Sequence, residues 1–218
     1  MTMNRLDVPY IEGLRKMSDG ELDLALDWGG AKGFTGNVCW PEQYPYRPDC
    51  CFAMAHDSEC LAILFHVRGL DLRAKALEDN GRVWEDSCCE IFIADPSDGT
   101  YYNFEENCIG MMVSGKGAGR EGRVRRGPEE MGQIRRITTL KKREIDLGDK
   151  IFGWSAGMVI PLSLMGFHGD FPAVLRGNIY KCGDKTVHPH FLSWNPVLTP
   201  KPDFHRPEYF GEFKLLAK

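Results

Sequence analysis

Apolar residues in this chain come in short runs separated by Asp, Asn, Ser, Pro and Gly, a punctuation that suits strands and turns better than helices. The runs over 50–55 and 60–67 flank His56-Asp57-Ser58-Glu59, a four-residue polar break that reads as a hairpin turn. A run over 88–94 stops at Asp95-Pro96-Ser97-Asp98-Gly99, where side chains bond back to the backbone and glycine relieves a tight turn. Further strands are expected over 101–113, 133–140, 152–160, 174–181, 190–194 and 210–215, with short helical potential over 72–77. This spacing predicts an all-β fold: an antiparallel β-sandwich, jelly-roll-like and of immunoglobulin-like size, with short helical turns in its loops. A length of 218 residues fits one domain spanning 1–218, with 1–20 as an N-terminal arm or first strand.

Composition narrows the class. With 43% hydrophobic and 27% charged residues, the chain carries neither the polar bias of disorder nor a membrane signature, and no stretch approaches the ~18 apolar residues of a membrane span. Residues 1–12 show no secretory signal, although a leader removed earlier would leave no trace. The eight cysteines contain no Cys-x-x-Cys unit, which argues against a cysteine-held metal. Vicinal Cys50-Cys51 and Cys88-Cys89 send their side chains to opposite faces of a strand. Free thiols, and with them a cytoplasmic setting, are the reading favoured.

Charge is uneven: residues 114–143 hold ten Lys or Arg against three Glu, within a chain of net charge −4. Nucleic-acid binding would interleave such charge with stacking aromatics, and this segment has none. Its glycines suggest a mobile, solvated hairpin loop instead.

The chemistry concentrates in two segments. Trp84 precedes Glu90 at the start of the 88–94 strand, so an aromatic platform adjoins a strand carboxylate. In the next strand, alternation puts Tyr101, Asn103, Glu105, Asn107 and Ile109 on one face and Tyr102, Phe104, Glu106 and Cys108 on the other. A row of Asn, Glu and Asn is costly in a core without partners, so that face is either solvated or built for a polar ligand. Indole faces pack on the C–H side of a pyranose, and carboxylates accept its hydroxyls. The expected ligand is therefore a mono-, di- or oligosaccharide.

The tail contains His188-Pro189-His190-Phe191-Leu192-Ser193-Trp194-Asn195-Pro196 and, beyond it, Phe204-His205-Arg206-Pro207-Glu208-Tyr209-Phe210-Gly211-Glu212-Phe213. With Trp84, Glu90 and the 101–110 strand in the same order, the chain resembles the carbohydrate-binding module family 9-like proteins, which are β-sandwich sugar binders. That resemblance implies non-catalytic binding in a glycan-degradation context, with a terminal sugar clamped between Trp84 and Trp194. The polar contacts it implies map to Glu90, Glu105 and Asn107; strand alternation adds Asn103, and Trp40, Tyr44 and His205 are candidate rim residues from the flanking loops. Glu105 departs from the pattern, since family members can use a basic residue there. It also implies structural calcium, for which the loop acids Asp95 and Asp98 offer too few oxygens. On this reading Trp194→Ala should abolish binding with little change in melting temperature, and affinities should be micromolar or weaker.

Three alternatives have residues behind them. Glu90 and Glu105 are a carboxylate pair of the kind a glycoside hydrolase uses. His188 and His190 share a strand face and, with His205, offer zinc ligands; a haem site would need an axial Met or His that the sequence does not single out. The loop Trp40-Pro41-Glu42-Gln43-Tyr44-Pro45-Tyr46-Arg47-Pro48 offers a rigid protein-docking surface.

Overall fold

The structure, a computed structural model, describes residues 3–167 and 172–218. Two sheets face each other, as the punctuation predicts. The larger runs in the order Arg5–Val8, Gly211–Leu215, Val174–Cys182, Cys88–Ala94, Tyr101–Asn107, Met112–Gly117, Val124–Arg125, with Phe191–Ser193 and Asn37–Val38 branching from Val174–Cys182. The second runs Arg135–Thr138, Phe152–Pro161, Cys60–Gly69, Asp49–His56, Ala31–Phe34. The hairpin at residues 56–59 forms as expected: Asp57 accepts the backbone N–H groups of Glu59 and Cys60, both at 2.8 Å, and so closes the turn.

Alternation decides what faces what. Ile91, Ile93, Tyr102, Phe104, Ile179 and Phe213 point from the larger sheet toward Phe52, Ile63, Phe65, Met158 and Ile160 of the other, forming the main core. Each such side chain, once buried, contributes ~1.5–3 kcal/mol. The opposite face of the larger sheet carries Cys88, Phe92, Tyr101, Tyr180 and Cys182, and loops bearing Phe191, Phe204 and Phe210 fold over it. That second, loop-covered face is where the cavity lies.

Three elements differ from expectation. Helix Asp19–Gly29 lies in a stretch for which no regular element was expected beyond residue 20. Its Leu22, Leu24 and Leu26 mimic strand alternation, but Ser18 and Glu21 form a reciprocal capping box that starts a helix. Leu22 and Leu26 then cover the outer face of the second sheet against Ala53, Ala55 and Leu64. Arg5–Val8, in contrast, is a strand paired in parallel with Gly211–Leu215, one of the two expected readings of the N-terminal segment. Leu72–Ala74 is a strand paired with Ile145–Leu147 rather than a helical turn. The strand expected over 101–113 breaks after Asn107, where Asn107 Oδ1 accepts the N–H groups of Ile109 and Met111 and Gly110 adopts φ 84°. Among the described residues no helix is long and apolar enough to cross a membrane.

Candidate functional site

The cavity, of about 460 Å³, is floored by three adjacent strands of the larger sheet. Register defines the floor as a grid: Cys88 lies between Asn107 and Cys182, Glu90 between Glu105 and Tyr180, and Phe92 between Asn103 and Asn178. Trp84, Phe92, Phe191 and Phe204 line the cavity with aromatic rings, while Glu90, Asn103, Glu105, Asp184, Asp203 and His205 supply polar groups. Trp84 sits in a single 3-10 turn, half-buried, and its carbonyl accepts the backbone N–H of Asp184 at 3.1 Å, which joins the two loops at the rim.

Polar contacts on the floor hold its carboxyls in place. Asn103 donates to Glu105 Oε1 at 2.9 Å, and Asn103 Oδ1 accepts from Arg123 Nε and Nη2 at 3.0 and 2.6 Å. Arg123 also bonds the carbonyls of Tyr101, Gly115 and Gly119 and lies 4.3 Å from the centre of the Tyr101 ring. Cys182 Sγ donates to Glu90 Oε1 at 2.9 Å. Burial, reinforced by the neighbouring Glu105, raises Glu90 well above the ordinary carboxylate range. Burial raises Glu105 to about 7 against the opposing pull of Asn103 and Arg123, and Asp184 to about 7 against that of Arg120. A carboxyl that titrates at about 7, as Glu105 and Asp184 do, is partly protonated near neutrality and can both donate and accept hydrogen bonds.

His205 Nδ1 and the Tyr101 hydroxyl share a hydrogen bond of 2.8 Å. Burial, then the charge of Arg123, lowers His205 to about 4, so a neutral imidazole faces the cavity at neutral pH. Phe204 stacks on Tyr180 with centroids 4.2 Å apart, while Trp40 and Tyr44 brace Phe191 from behind at 5.5 and 4.8 Å.

Of the residues expected at the site, Trp84, Glu90, Asn103, Glu105 and His205 come together around the cavity. Trp194 does not. It is 8% exposed, part of the intersheet core, and stacked on Phe213 at 5.2 Å, so Trp84 and Trp194 do not form facing walls. Asn107 is wholly buried and consumed by its turn, donating to Ala76 O and Asp86 as well as accepting from the backbone. Trp40 and Tyr44 stand behind the wall rather than on the rim, and Trp40 Nε1 donates to Thr199 O at 2.6 Å. Tyr46 accepts the Leu70 N–H at 2.6 Å, so the aromatic side chains of this loop pack inward while Pro41, Glu42, Gln43, Pro45 and Arg47 stay exposed.

The basic segment is also corrected. It forms the paired strands Met112–Gly117 and Val124–Arg125 and sends Arg120, Arg123 and Arg125 to the cavity, a solvated loop only in part. His188, His190 and His205 do not converge: His188 meets Asp149, His190 meets Lys181 Nζ at 2.7 Å, and His205 meets Tyr101. Asp95 and Asp98 both pair with Lys116 Nζ, at 2.7 and 2.8 Å, so an ammonium takes the place considered for calcium. Burial opposes ionisation of Asp95, but hydrogen bonds from Lys116, Ser97 and Tyr102 outweigh it and hold the carboxyl well below its usual range.

Phe191, Phe204, Asp184 and Arg123 were missed as site residues by sequence reasoning. A signal existed for Phe191: strand parity sets Phe191 and Trp194 on opposite faces, so only one of the two can face the cavity.

Comparison with known proteins is consistent with this geometry. The chain resembles, at 34% identity and a TM-score of 0.89, a candidate carbohydrate-binding protein from Bacteroides uniformis ATCC 8492, covering 99% of this chain and 100% of that one. It shares its fold with a family 9 carbohydrate-binding module from Caldicellulosiruptor kristjanssonii solved with glucose, at TM-score 0.63, 17% identity, and 99% and 97% coverage of the two chains. A second structure from that organism, with cellotriose, gives TM-score 0.62 at 15% identity, covering 99% and 95%. No curated protein matched the sequence. Residues 28–215 match carbohydrate-binding family 9, and the chain belongs to that family.

Proposed function

We propose that the cavity over the Cys88–Ala94 and Tyr101–Asn107 strands binds the terminal unit of an oligosaccharide without cleaving it. The observation that carries this reading is the juxtaposition, in one cavity, of aromatic rings on the loops with a row of buried, hydrogen-bonded carboxyls on the floor. Trp84 and Phe204 supply apolar faces for the sugar ring, and Glu90, Glu105 and Asp184 exchange hydrogen bonds with its hydroxyls. Asn103 and Arg123 act as positioning residues, because their polar atoms already bond Glu105 and the hairpin backbone. Hydrogen bonds contribute ~0.5–1.5 kcal/mol each, more where a carboxyl is ionised, and a ring face ~1 kcal/mol beyond its area, which after ordering costs supports binding in the micromolar range or weaker.

Glu90 and Glu105 are direct cross-strand neighbours on one sheet face, and each has a fixed partner, Cys182 for Glu90 and Asn103 for Glu105. That arrangement serves a binding floor, and the test below separates it from catalysis by the same pair.

The test is isothermal calorimetry with glucose, cellobiose, cellotriose, xylose and galactose, run beside a chromogenic glycoside panel. The glucose and cellotriose held by the Caldicellulosiruptor modules make gluco-configured ends the first ligands to try. Saturable binding lost in Trp84→Ala, with no product formed, is the expected result. Turnover that disappears in Glu90→Gln would replace this reading with a catalytic one, and no binding to any sugar would remove it.

A further inference from the structure

We propose that Cys88, Glu90 and Cys182 form a binding site for a thiophilic divalent metal ion, zinc in the first instance, set into the cavity floor. Cys88 and Cys182 are Cα partners across the ladder between their strands, and Glu90, two residues beyond Cys88, projects from the same sheet face. Their ligand atoms all lie within 4.8 Å of one another. Tetrahedral zinc, with sulfur at about 2.3 Å, holds neighbouring sulfurs about 3.8 Å apart, so closure around an ion requires no more than ~1 Å of side-chain movement. All three residues are buried, yet Glu90 and Cys182 line the cavity, which provides the entry route and leaves a fourth coordination position open toward it.

The surroundings suit the charge of such a site. Two thiolates and a carboxylate around a divalent ion leave one negative charge. Lys181, next in sequence to Cys182, is 1% exposed, and its ammonium bonds Cys182 O at 2.6 Å and His190 Nε2 at 2.7 Å. Among the described residues no carboxylate forms an ion pair with it, while its charge acts on both Cys88 and Glu90. Lys181 projects from the core-side face, where its Cα partner is Cys89 and its ammonium lies 5.8 Å from the centre of the Trp154 ring, so its positive charge reaches the site across the sheet rather than as a direct counter-ion. Glu90 would use Oε1, now bonded to Cys182, and keep Oε2 for a cavity ligand, so metal and sugar can occupy the floor together.

The test uses the full chain, reduced, stripped with a chelator and titrated with cobalt(II) and then zinc(II). One equivalent of cobalt should bind with tetrahedral ligand-field bands and thiolate charge-transfer absorption, both removed by zinc. Cys182→Ala and Cys88→Ala should each lose the charge-transfer band. Cys50→Ala should retain it, because that thiol pairs with Cys89 on the core side of the sheet. Circular dichroism checks folding, and if a cysteine variant fails to fold, the near-isosteric Glu90→Gln should still weaken cobalt binding about tenfold or more. Absence of a charge-transfer band in the parent, or a band unchanged in Cys182→Ala, overturns the proposal. Sugar calorimetry in the presence of chelator reads the cavity independently, so loss of one property does not decide the other.

Discussion

Glu90 and Glu105 stand opposite each other on adjacent strands, so two buried carboxyls share one sheet face and one cavity. Both are raised above the ordinary value, Glu105 to about 7, by burial first. Between about pH 4.5 and 7 the folded chain therefore holds protons that the unfolded chain has released, and this contribution to stability is lost as pH rises through that window. Glu105→Gln removes the contribution. Its melting temperature relative to the parent should climb from about pH 5 to about pH 8, and a difference that does not vary with pH would mean the carboxyl titrates normally.

Glu106 lies on the other face of the same strand, wholly buried toward the main core, and neither carboxyl oxygen has a hydrogen-bond partner. Burial raises its pKa well above the ordinary value against the pull of Arg136. An unsatisfied buried group costs ~1–3 kcal/mol, so Glu106→Leu should stabilise the fold by about that amount, and more at alkaline pH where the parent must ionise or stay protonated at a cost. Denaturant titration measures it, and destabilisation by the leucine would show that the carboxyl is satisfied in solution.

Trp84 and Trp194 should separate binding from stability. Trp194→Ala empties a site stacked on Phe213 and is expected to cost ~3–5 kcal/mol while the remaining folded protein binds sugar as before. Trp84→Ala, at a half-buried ring on the cavity, should do the reverse. Calorimetry beside thermal melts distinguishes them; a Trp194→Ala protein that melts normally but binds nothing would restore the two-tryptophan clamp.

Arg123 joins Asn103 to four backbone carbonyls, those of Tyr101, Gly115, Gly117 and Gly119. Lysine cannot reproduce that planar fork, so Arg123→Lys should cost ~1.5–3 kcal/mol of stability and weaken sugar binding by about tenfold through a displaced Glu105. Unchanged affinity in calorimetry would confine Arg123 to a structural role.

How much of this was readable beforehand follows from the range of the interactions. Alternation along a strand is local, so the strands, the hairpin at Asp57 and the shared face of Asn103 and Glu105 were all legible. Trp84 and Glu90 were legible because they lie six residues apart on one turn and strand. The place of Trp194 was not legible from resemblance, because parity with Phe191 turns it to the core, and that of Asn107 was not because it ends its strand and its side chain closes the following turn. Arg123 was invisible for a physical reason: a run of charge without aromatics reads as solvated unless one knows that the chain folds it back over Tyr101. Helix Asp19–Gly29 hid behind leucines at strand spacing, although Ser18 and Glu21 marked its start.

The floor strands have one face in the main core and the other in the cavity, so consecutive residues such as Glu90 and Ile91 answer to different demands. Ligand preference is therefore hard to retune there without unsettling the whole molecule. Diversification among such proteins is expected to run through the overhanging segments that carry Trp84, Arg120, Asp184 and Phe204, where a change alters what the protein holds and leaves the scaffold that holds it intact.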